Sequence, residues 1–365
     1  MKNIIIISKH DISSAYSCLQ YLSQELLKYT HVKVWSCTDR KNIDKLDKNF
    51  NNSFLNCWYG NFKHIRLLFI YLHVFILLIK NNDAMIINDI DFFPIAWLVK
   101  KIRKKKKFII YHTEIYGADV KTFKFILSFY EKYASDPDFI IECLNERAEY
   151  RKKKYNIKKN IYVINNTIYQ NTDYTKVNIE NKSKEKIVFY AGGCNLSRDL
   201  GEFIKEISKV NNVFFLAYCY GTDKDLLSVK NMCKQYFKKN NYSINEAVSR
   251  DKLLSIMNSA DIGIVYYDPD FSINHYYAAP SKFFEYFSCG LNILSTNNEG
   301  INHIIEKYKI GTCIKQNETI SDALNRMLLQ GLKNRDDIKN IFNERFCYEK
   351  DSKFAIENLK KELEI

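Results

Sequence analysis

The sequence predicts an α/β protein that consists of two doubly wound domains in tandem. Short apolar runs alternate with segments of helical periodicity, as expected of parallel sheets whose strands are joined by helices. This alternation stops in a polar stretch rich in Asn, Lys and Thr and then starts again. The chain has 365 residues, of which 46% are hydrophobic and only 4 are Pro, so it has enough apolar material for two cores.

The first predicted domain covers residues 1–170. Its predicted strands are Ile4–Ser8, Val32–Trp35, Ala84–Ile87, Phe108–His112, Phe139–Glu142 and Ile161–Ile164. Helical periodicity lies between them, at Tyr16–Lys28, Phe62–Ile79, Phe92–Ile102, Thr122–Ala134 and Glu146–Tyr155. Because helices connect the successive strands, we expect a parallel sheet.

The second predicted domain covers residues 187–345 and follows a linker at residues 171–186. Its predicted strands are Ile187–Ala191, Val213–Tyr218, Asp261–Tyr266, Leu291–Ser295 and Gly311–Ile314. Its predicted helices are Leu200–Val210, Asp223–Lys239, Arg250–Ser259, Pro280–Cys289 and Ile301–Tyr308. A last helical segment, residues 346–365, is expected to pack back on the first domain. The pattern therefore indicates two Rossmann-like domains.

Positive charge is concentrated in the first half of the chain. Residues 1–176 contain 29 of the 55 Lys and Arg residues but only 17 of the 42 Asp and Glu residues. Two basic runs stand out, Lys100–Lys107 and Arg151–Lys159. Such runs suit nucleic acid, an anionic membrane surface or an acidic substrate, and two solvated helix ends are the simpler alternative. Nucleic acid ranks last because Tyr155 is the only aromatic residue within the two runs.

Several classes of protein are excluded or disfavoured. The ten cysteines form no C-x-x-C pair, which argues against a disulfide framework or a metal cluster and fits a reducing cytoplasm. The apolar run at the N-terminus is too short for a signal peptide, and Ile65–Lys80 is too short for a membrane span. Neither G-x-G-x-x-G nor the P-loop motif occurs, which disfavours nicotinamide enzymes and P-loop nucleotidases.

Two segments of the second domain have the features of a ligand site. In "VFYAGGCNLSRDLGEF", Gly192 and Gly193 end a strand and allow a ligand to approach the backbone, while Arg198 could bind phosphate oxygens. Both this segment and the next follow predicted strands of one sheet, at whose carboxyl ends open α/β sheets bind ligands.

The second segment is "YYAAPSKFFEYFSCGLNILSTNNEG", Tyr276 to Gly300. Pro280 suits the first helical position and Gly290 the left-handed residue after the helix end. Ser281, Lys282 and Glu285 then share one face, on which the helix start suits an anion and Glu285 suits sugar hydroxyls. An ordinary amphipathic helix with a solvated Glu285 is the alternative.

The order of these motifs resembles that of a known enzyme family. The segments "YAGGCNLSRDL", "AYCYG", "SRDKLLSIMNSADIGIVYY", "YYAAPSKFFEYFSCGLNILST" and "GTCI" resemble the nucleotide-sugar-binding domain of glycosyltransferase family 4 and its group 1 relatives. The segments "NDIDFFPIAWLVKK", "FIIYHTEIY" and "DFIIECLNERAEYRKKKYNIKKNIYVINN" resemble the acceptor-side half of bacterial polysaccharide enzymes of that group. The likeness covers about residues 1–315 and implies a GT-B fold, in which two Rossmann-like domains face each other across a cleft.

The resemblance also implies roles for individual residues. Glu285 would hold the ribose hydroxyls of the donor, and Ser281 and Lys282 would meet its diphosphate or sugar at the helix start. Arg198 would neutralise the diphosphate leaving group beside Gly192 and Gly193. The segments after Tyr220 and around Glu246–Val248 would border the base. His112 and Glu114 of "YHTEIY" would face the transferred sugar, so that His112, Arg198 and Lys282 form the catalytic set.

The sequence departs from the family pattern at three places. Many relatives have two cations on the diphosphate loop, and Gly193 stands at the position of the first, so that Arg198 is the remaining cation. The first loop, "SKHDISSAYS", lacks glycine, so His10, Asp11 and Ser13 are assigned to the acceptor side. Tyr277 stands where many relatives have an acidic residue eight positions before the final glutamate.

The resemblance implies a glycosyltransferase that uses a nucleotide-diphosphate sugar and a growing, lipid-linked or oligosaccharide acceptor in bacterial surface polysaccharide synthesis. We expect retention of anomeric configuration, no metal and no cofactor, since cations and a helix dipole can stabilise the leaving diphosphate. We also expect the enzyme to be cytoplasmic and to lie on the anionic inner face of the cell membrane. We expect no nucleic-acid partner. A nucleotide-sugar 2-epimerase and a non-catalytic nucleotide-sugar binder are the alternatives.

Overall fold

The computed structural model describes residues 1–9, 17–36, 54–56, 63–116, 122–170, 174–179, 186–194, 196, 200–238 and 241–365. The chain divides into two compact units. The first unit consists of residues 1–166 together with 351–365, and the second consists of residues 167–350. The sequence had placed the corresponding divisions at residues 170, 186 and 345. Of the predicted linker, residues 174–179 are described without regular secondary structure, and its last residue, Lys186, begins a strand.

The described part of the first unit contains a seven-stranded parallel sheet in the order β3-β2-β1-β4-β5-β6-β7. The strands are β1 Asn3–Ser8, β2 His31–Ser36, β3 Phe54–Asn56, β4 Ala84–Asn88, β5 Lys107–His112, β6 Phe139–Glu142 and β7 Ile161–Val163. The helices are α1 Ser17–Leu27, α2 Lys63–Ile79, α3 Phe93–Ile102, α4 Lys124–Tyr133 and α5 Asn145–Tyr155. β4 is buried along its whole length, as expected of a central parallel strand covered on both faces.

The second unit contains a six-stranded parallel sheet in its described residues, in the order β10-β9-β8-β11-β12-β13. The strands are β8 Lys186–Gly193, β9 Val213–Tyr220, β10 Tyr242–Glu246, β11 Ile262–Val265, β12 Asn292–Ser295 and β13 Gly311–Cys313. The helices are α6 Gly201–Ile207, α7 Asp223–Tyr236, α8 Arg250–Met257, α9 Ile273–Tyr276, α10 Ser281–Ser288, α11 Glu299–Tyr308, α12 Ile320–Gln330 and α13 Arg335–Arg345.

The chain then returns to the first unit through α14 Tyr348–Asp351 and α15 Lys353–Leu363. The Asp351 carboxylate accepts hydrogen bonds from the backbone N and the side-chain amide of Asn165, at 2.7 and 2.5 Å. α15 buries one face, which includes Leu359 and Leu363. In the last turn of this helix, Glu362 pairs with Lys107 of the same unit at 2.7 Å.

The predicted α/β class with two Rossmann-like domains is confirmed, and two predictions about its strands need correction. The sequence patterns did not indicate β3 or β10, which lie at the outer edges of the two sheets. β3 has only three residues, and β10 has the polar sequence YSINE, none of whose side chains is fully buried. Edge strands of this kind lack the apolar run that marks a central parallel strand. None of the described helices is long and apolar enough to cross a membrane.

Candidate active site

The strand order of the second unit reverses between β8 and β11. Ligands of open α/β sheets bind beyond the carboxyl ends of the strands at such a switch point. Gly192 and Gly193 are the last residues of β8, and Tyr267 follows shortly after β11. The two glycines, α10 and the loop after β11 therefore meet where a ligand is expected.

Lys282 in the first turn of α10 lies between aromatic rings from both sides of this switch point. Its ammonium group is 5.1 Å from the ring centre of Tyr190 on β8 and 5.0 Å from that of Tyr267. Both distances are within the range of cation–π attraction. Next to Lys282, the exposed Ser281 begins the helix, whose free N–H groups also favour an anion. The positive end of α10 is therefore fixed in place.

Gly192 allows the Tyr190 ring to occupy this position. A Cβ atom on Gly192 would lie 2.6 Å from the Tyr190 hydroxyl. That hydroxyl donates a hydrogen bond of 3.1 Å to the carbonyl of Gly193, so the ring folds back along the end of its own strand. A Cβ on Gly193 would make only ordinary contacts, the nearest at 3.7 Å to Tyr220. The Tyr190 ring therefore requires a glycine at position 192 but not at position 193.

Aromatic residues attach α10 to the sheet. Phe283, Phe284, Tyr286 and Phe287 are buried, and the Tyr286 hydroxyl accepts a hydrogen bond of 2.9 Å from the backbone N of Ala191 on β8. Burial raises the pKa of Tyr286 well above its usual value. Gly290 follows the helix with φ +73°, as its sequence position predicts, whereas Pro280 is the N-cap residue and not the first helical residue.

Glu285 lies one turn further along α10 and is paired with a cation. Its Oε1 accepts a hydrogen bond of 3.0 Å from Nη2 of Arg250, and the Glu285 side chain is 15% exposed. Its Oε2 makes no hydrogen bond with the part of the chain that the structure describes. Arg250 is the first residue of α8, directly after the loop that contains the half-buried Val248. The picture of Glu285 as a solvated carboxylate is therefore wrong.

Sequence reasoning missed Arg250 as a member of this site. The only signal was its position two residues after Val248, at the start of a predicted helix that follows a polar segment. The pairing itself joins residues 35 positions apart, so only the fold reveals it.

The first unit also has a switch point, between β1 and β4, with a polar network around it. Ser8 at the end of β1 donates a hydrogen bond of 3.0 Å to Asn88 at the end of β4. Asp89 follows with φ +57° and accepts hydrogen bonds from the backbone N of Thr113, at 2.8 Å, and of Glu114. Burial raises the pKa of Asp89 to about 7. The carboxylate thereby fixes the start of the loop after β5.

A neighbouring carboxylate, Asp91, was also not predicted as a site residue. It is buried, pairs with Lys9 at 2.8 Å and accepts a hydrogen bond of 3.1 Å from the Tyr116 hydroxyl. The sequence "NDID" contains Asn88, Asp89 and Asp91 directly after a predicted strand, and this spacing was the available signal.

The structure places the His112 side chain inside the first unit. The side chain is fully buried, and its Nε2 lies 3.0 Å from the Tyr130 hydroxyl. Burial, with the charge of Arg151, lowers the pKa of His112 well below its usual value, so the ring is neutral at pH 7. Its Nδ1 is buried and makes no hydrogen bond with the residues that the structure describes. His112 lies at the end of β5, directly before Thr113 and Glu114, and its contact with the transferred sugar stays a prediction.

The other acceptor-side and catalytic predictions have different outcomes. Glu114 is half-buried, and its backbone is held at both polar atoms, the N–H by Asp89 and the carbonyl by Arg151. His10, Asp11, Ser13 and Arg198 lie outside the described residues, and their roles stay predictions. No group of three metal-ligating side chains occurs among the residues that the structure describes.

The basic runs are less available to a partner than their sequence suggests. Arg151 is fully buried and pairs with Glu142, which is also buried. In the other run, Lys100 pairs with Asp138, Lys101 with Asp136 and Lys107 with Glu362. Part of the predicted positive surface is therefore used inside the first unit.

Two units, each with a parallel sheet and flanking helices, match the fold of GT-B glycosyltransferases. A sucrose-phosphate synthase from Thermosynechococcus elongatus has a TM-score of 0.76 at 13% identity, covering 100% of this chain and 99% of that one. HepE from Anabaena in complex with UDP has a TM-score of 0.75 at 13% identity, covering 99% and 100%. WaaG, a glycosyltransferase involved in lipopolysaccharide biosynthesis, has a TM-score of 0.63 at 14% identity, covering 96% and 98%.

Residues 171–345 match the family model described as "Glycosyl transferases group 1". This part of the chain matches that family, which supports the glycosyltransferase class that the sequence predicts. No curated protein sequence matches the chain. The matched residues include α8 and α10, with the site residues just described on them. The match begins at residue 171, the first residue of the predicted linker, and therefore before β8.

Proposed function

We propose that the enzyme transfers a sugar from a nucleotide-diphosphate sugar to a lipid-linked or oligosaccharide acceptor in bacterial surface polysaccharide synthesis, with retention and without a metal. The observation that carries the proposal is the position of Lys282, between two tyrosine rings at the start of α10. The Anabaena relative binds UDP, and WaaG acts in lipopolysaccharide biosynthesis, which supports this substrate class.

Glu285 and Lys282 would recognise different parts of the donor. The ion pair with Arg250 uses Oε1 of Glu285 and leaves Oε2 able to accept a hydrogen bond from a ribose hydroxyl. Arg250 thereby orients the carboxylate. Lys282 and the N–H groups of α10 suit the diphosphate, which is one helical turn nearer the helix start. The glycines of β8 would admit the phosphates close to the backbone.

The same cation would act in the reaction. When the bond between the anomeric carbon and the diphosphate oxygen breaks, negative charge grows on the leaving group. A preorganised ammonium group lowers the energy of that state without reorganising, because its position is already set by Tyr190 and Tyr267. Arg198 is proposed to share this role. Protein cations then supply the charge that a metal would otherwise supply.

A lipid-linked acceptor requires contact with a membrane, and the first unit has a suitable surface. On α2, Phe69, Leu72 and Ile76 are about half exposed and lie three or four residues apart, on one face of the helix. Leu98 and Ile102 of α3, which packs on α2, are exposed as well. Exposed apolar helix faces beside cations are typical of proteins that lie on a bilayer surface. We propose that this face rests on the cytoplasmic leaflet.

The donor half of the proposal is tested by incubating the enzyme with a panel of nucleotide sugars, with and without acceptor extracts. We expect release of a nucleoside diphosphate and an α or β linkage that matches the anomer of the donor, unaffected by EDTA. Lys282→Ala should lower turnover. Lys307→Ala is the matched control, since Lys307 also lies over a tyrosine ring of the same unit. Equal activity of the two variants contradicts the role of Lys282.

The alternatives predict other products. An epimerase would convert the donor to its 2-epimer without an acceptor, and a non-catalytic binder would bind the nucleotide without releasing product.

The proposed membrane contact is tested by sedimentation with anionic vesicles. We expect less of the double variant Leu72→Ser, Ile76→Ser to sediment than of the wild type. The control Leu329→Ser, an exposed leucine of the second unit, should sediment as the wild type does. Binding that ignores anionic lipid and salt would contradict the membrane proposal.

A further inference from the structure

The first unit contains a cavity of about 750 Å³ that the donor and acceptor chemistry does not use. It is lined by the first residues of β1, β4 and β5 and by the C-terminal ends of α2, α3 and α15. These are the amino-terminal ends of parallel strands. Substrates of open α/β sheets bind at the carboxyl ends, so the cavity lies at the opposite edge of the sheet.

The lining of this cavity is strongly basic. Eight of the lining residues are Lys or Arg, and only two, Asp83 and Glu364, are acidic. Positive charges that converge on a concave surface produce a focused field, which concentrates anions more effectively than the same charges on a flat surface. The composition alone therefore favours an anionic occupant.

Internal partners hold part of the wall rigid. Lys106 is buried, and its ammonium donates hydrogen bonds to the carbonyls of Leu78 and Lys80 at the end of α2, the second at 2.8 Å. Lys2 pairs with Glu364 at 2.7 Å. These cations are offset by carbonyls or carboxylates, and their contribution is to shape the cavity.

Three other cations of the lining have no such carbonyl or carboxylate partner among the described residues. Lys80, Lys104 and Lys105 are exposed, and none of them makes an ion pair with the residues that the structure describes. Lys104 and Lys105 are adjacent in the turn between α3 and β5, and Lys80 directly follows α2. Mutual repulsion of these like charges is relieved when an anion binds between them.

We propose that this cavity binds a ligand with at least two phosphate groups, held by Lys80, Lys104 and Lys105. Ammonium groups bind phosphate as flexible point charges, and three of them match the charge of a diphosphate better than that of a single phosphate. A soluble diphosphate compound and a phospholipid headgroup with two phosphate groups share this chemistry. The proposal does not depend on the proposed function, because the cavity and the donor site lie in different units.

Inorganic pyrophosphate is the probe for the soluble source. Calorimetric titrations are made with the full chain carrying Lys282→Ala, which removes the cation of the proposed donor site. In this background, the triple variant Lys80→Ala, Lys104→Ala, Lys105→Ala should weaken pyrophosphate binding by on the order of tenfold or more. The matched control removes three exposed lysines elsewhere in the first unit, Lys124, Lys153 and Lys158, and should leave binding within about twofold. The corresponding Lys→Arg triple variant should retain binding.

Vesicles of phosphatidylcholine, with and without cardiolipin, whose headgroup has two phosphate groups, test the lipid source. Loss of cardiolipin-dependent binding in the cavity variant but not in the control, with competition by pyrophosphate, supports the cavity with a lipid headgroup of two phosphate groups as its occupant. Pyrophosphate binding without any effect on vesicles supports a soluble occupant. The inference is overturned if the cavity variant and the control variant behave alike in both arms, or if pyrophosphate does not bind in the Lys282→Ala background and vesicle binding is insensitive to the cavity variant.

Discussion

Replacing Glu285 with glutamine changes one carboxylate oxygen into an amide and removes the negative charge beside Arg250. The shape of the side chain is kept, and α10 stays anchored by its buried aromatic residues. The effect on folding should be small, because the Arg250 side chain is 38% exposed and solvent screens the pair. Exposed or half-exposed ion pairs contribute about 0.2–1 kcal/mol.

The effect on donor binding should be larger. A hydrogen bond from a ribose hydroxyl to a carboxylate contributes about 1.5–3 kcal/mol, and the amide loses most of this. A loss of that size corresponds to an increase in Kd of about 10- to 140-fold. The same loss is expected for the nucleoside as for the nucleoside diphosphate, because Glu285 acts on the ribose. Lys282→Ala should weaken only the diphosphate.

Calorimetric titration with uridine and UDP, together with thermal denaturation, measures both effects. Glu344→Gln serves as the control, since Glu344 is an exposed carboxylate on α13 of the same unit. An unchanged Kd for Glu285→Gln, in a protein that melts at the normal temperature, would refute the assignment of the donor site. A large loss of stability would instead refute the view of the Arg250 pair as a binding feature.

Three further predictions follow from the packing. Gly192→Ala should raise the Kd for UDP by about two- to fivefold, the loss of one cation–π contact as Tyr190 is displaced, whereas Gly193→Ala should have little effect in the same titration. His112→Ala should lower the free energy of unfolding by about 2 kcal/mol or more in urea denaturation and leave the Kd for UDP unchanged, whereas a loss of turnover at normal stability would support the predicted catalytic role. Because burial raises the pKa of Asp89 to about 7, the folded protein keeps a proton that the unfolded chain releases above about pH 4. The free energy of unfolding should therefore decrease, relative to that of Asp89→Asn, as the pH rises from about 4 to about 7. Parallel pH curves of the two proteins would contradict the raised pKa.

The fold was largely predictable because central parallel strands have a strong local signal. Ile4–Ser8 and Ala84–Ile87 are continuous apolar runs, and the structure contains β1 and β4 at these positions. The edge strands β3 and β10 have no such signal, since their pairing depends on a neighbour and not on their own composition.

The site was predictable where one short segment contains it, as in α10, and not where distant segments meet. The spacing of Ser281, Lys282 and Glu285 is local, so their shared face follows from helical periodicity. Their partners Arg250 and Tyr190 are 35 and 92 positions away from Glu285 and Lys282, and no local pattern brings them together. His112 shows the opposite limit, because a motif that resembles a catalytic loop does not reveal that its histidine is covered by Tyr130.

The return of the chain to the first unit determines the order in which the two units can mature during synthesis. Residues 167–350 leave the ribosome as one continuous segment, so the second unit has all of its strands before α15 exists. The first unit begins earlier, yet the apolar face of α15 and the Asp351 contact to Asn165 arrive last. Domains that emerge complete can fold while translation continues. The unit whose synthesis starts first is therefore the one whose folding finishes last, and until then its partly formed surface needs protection from aggregation.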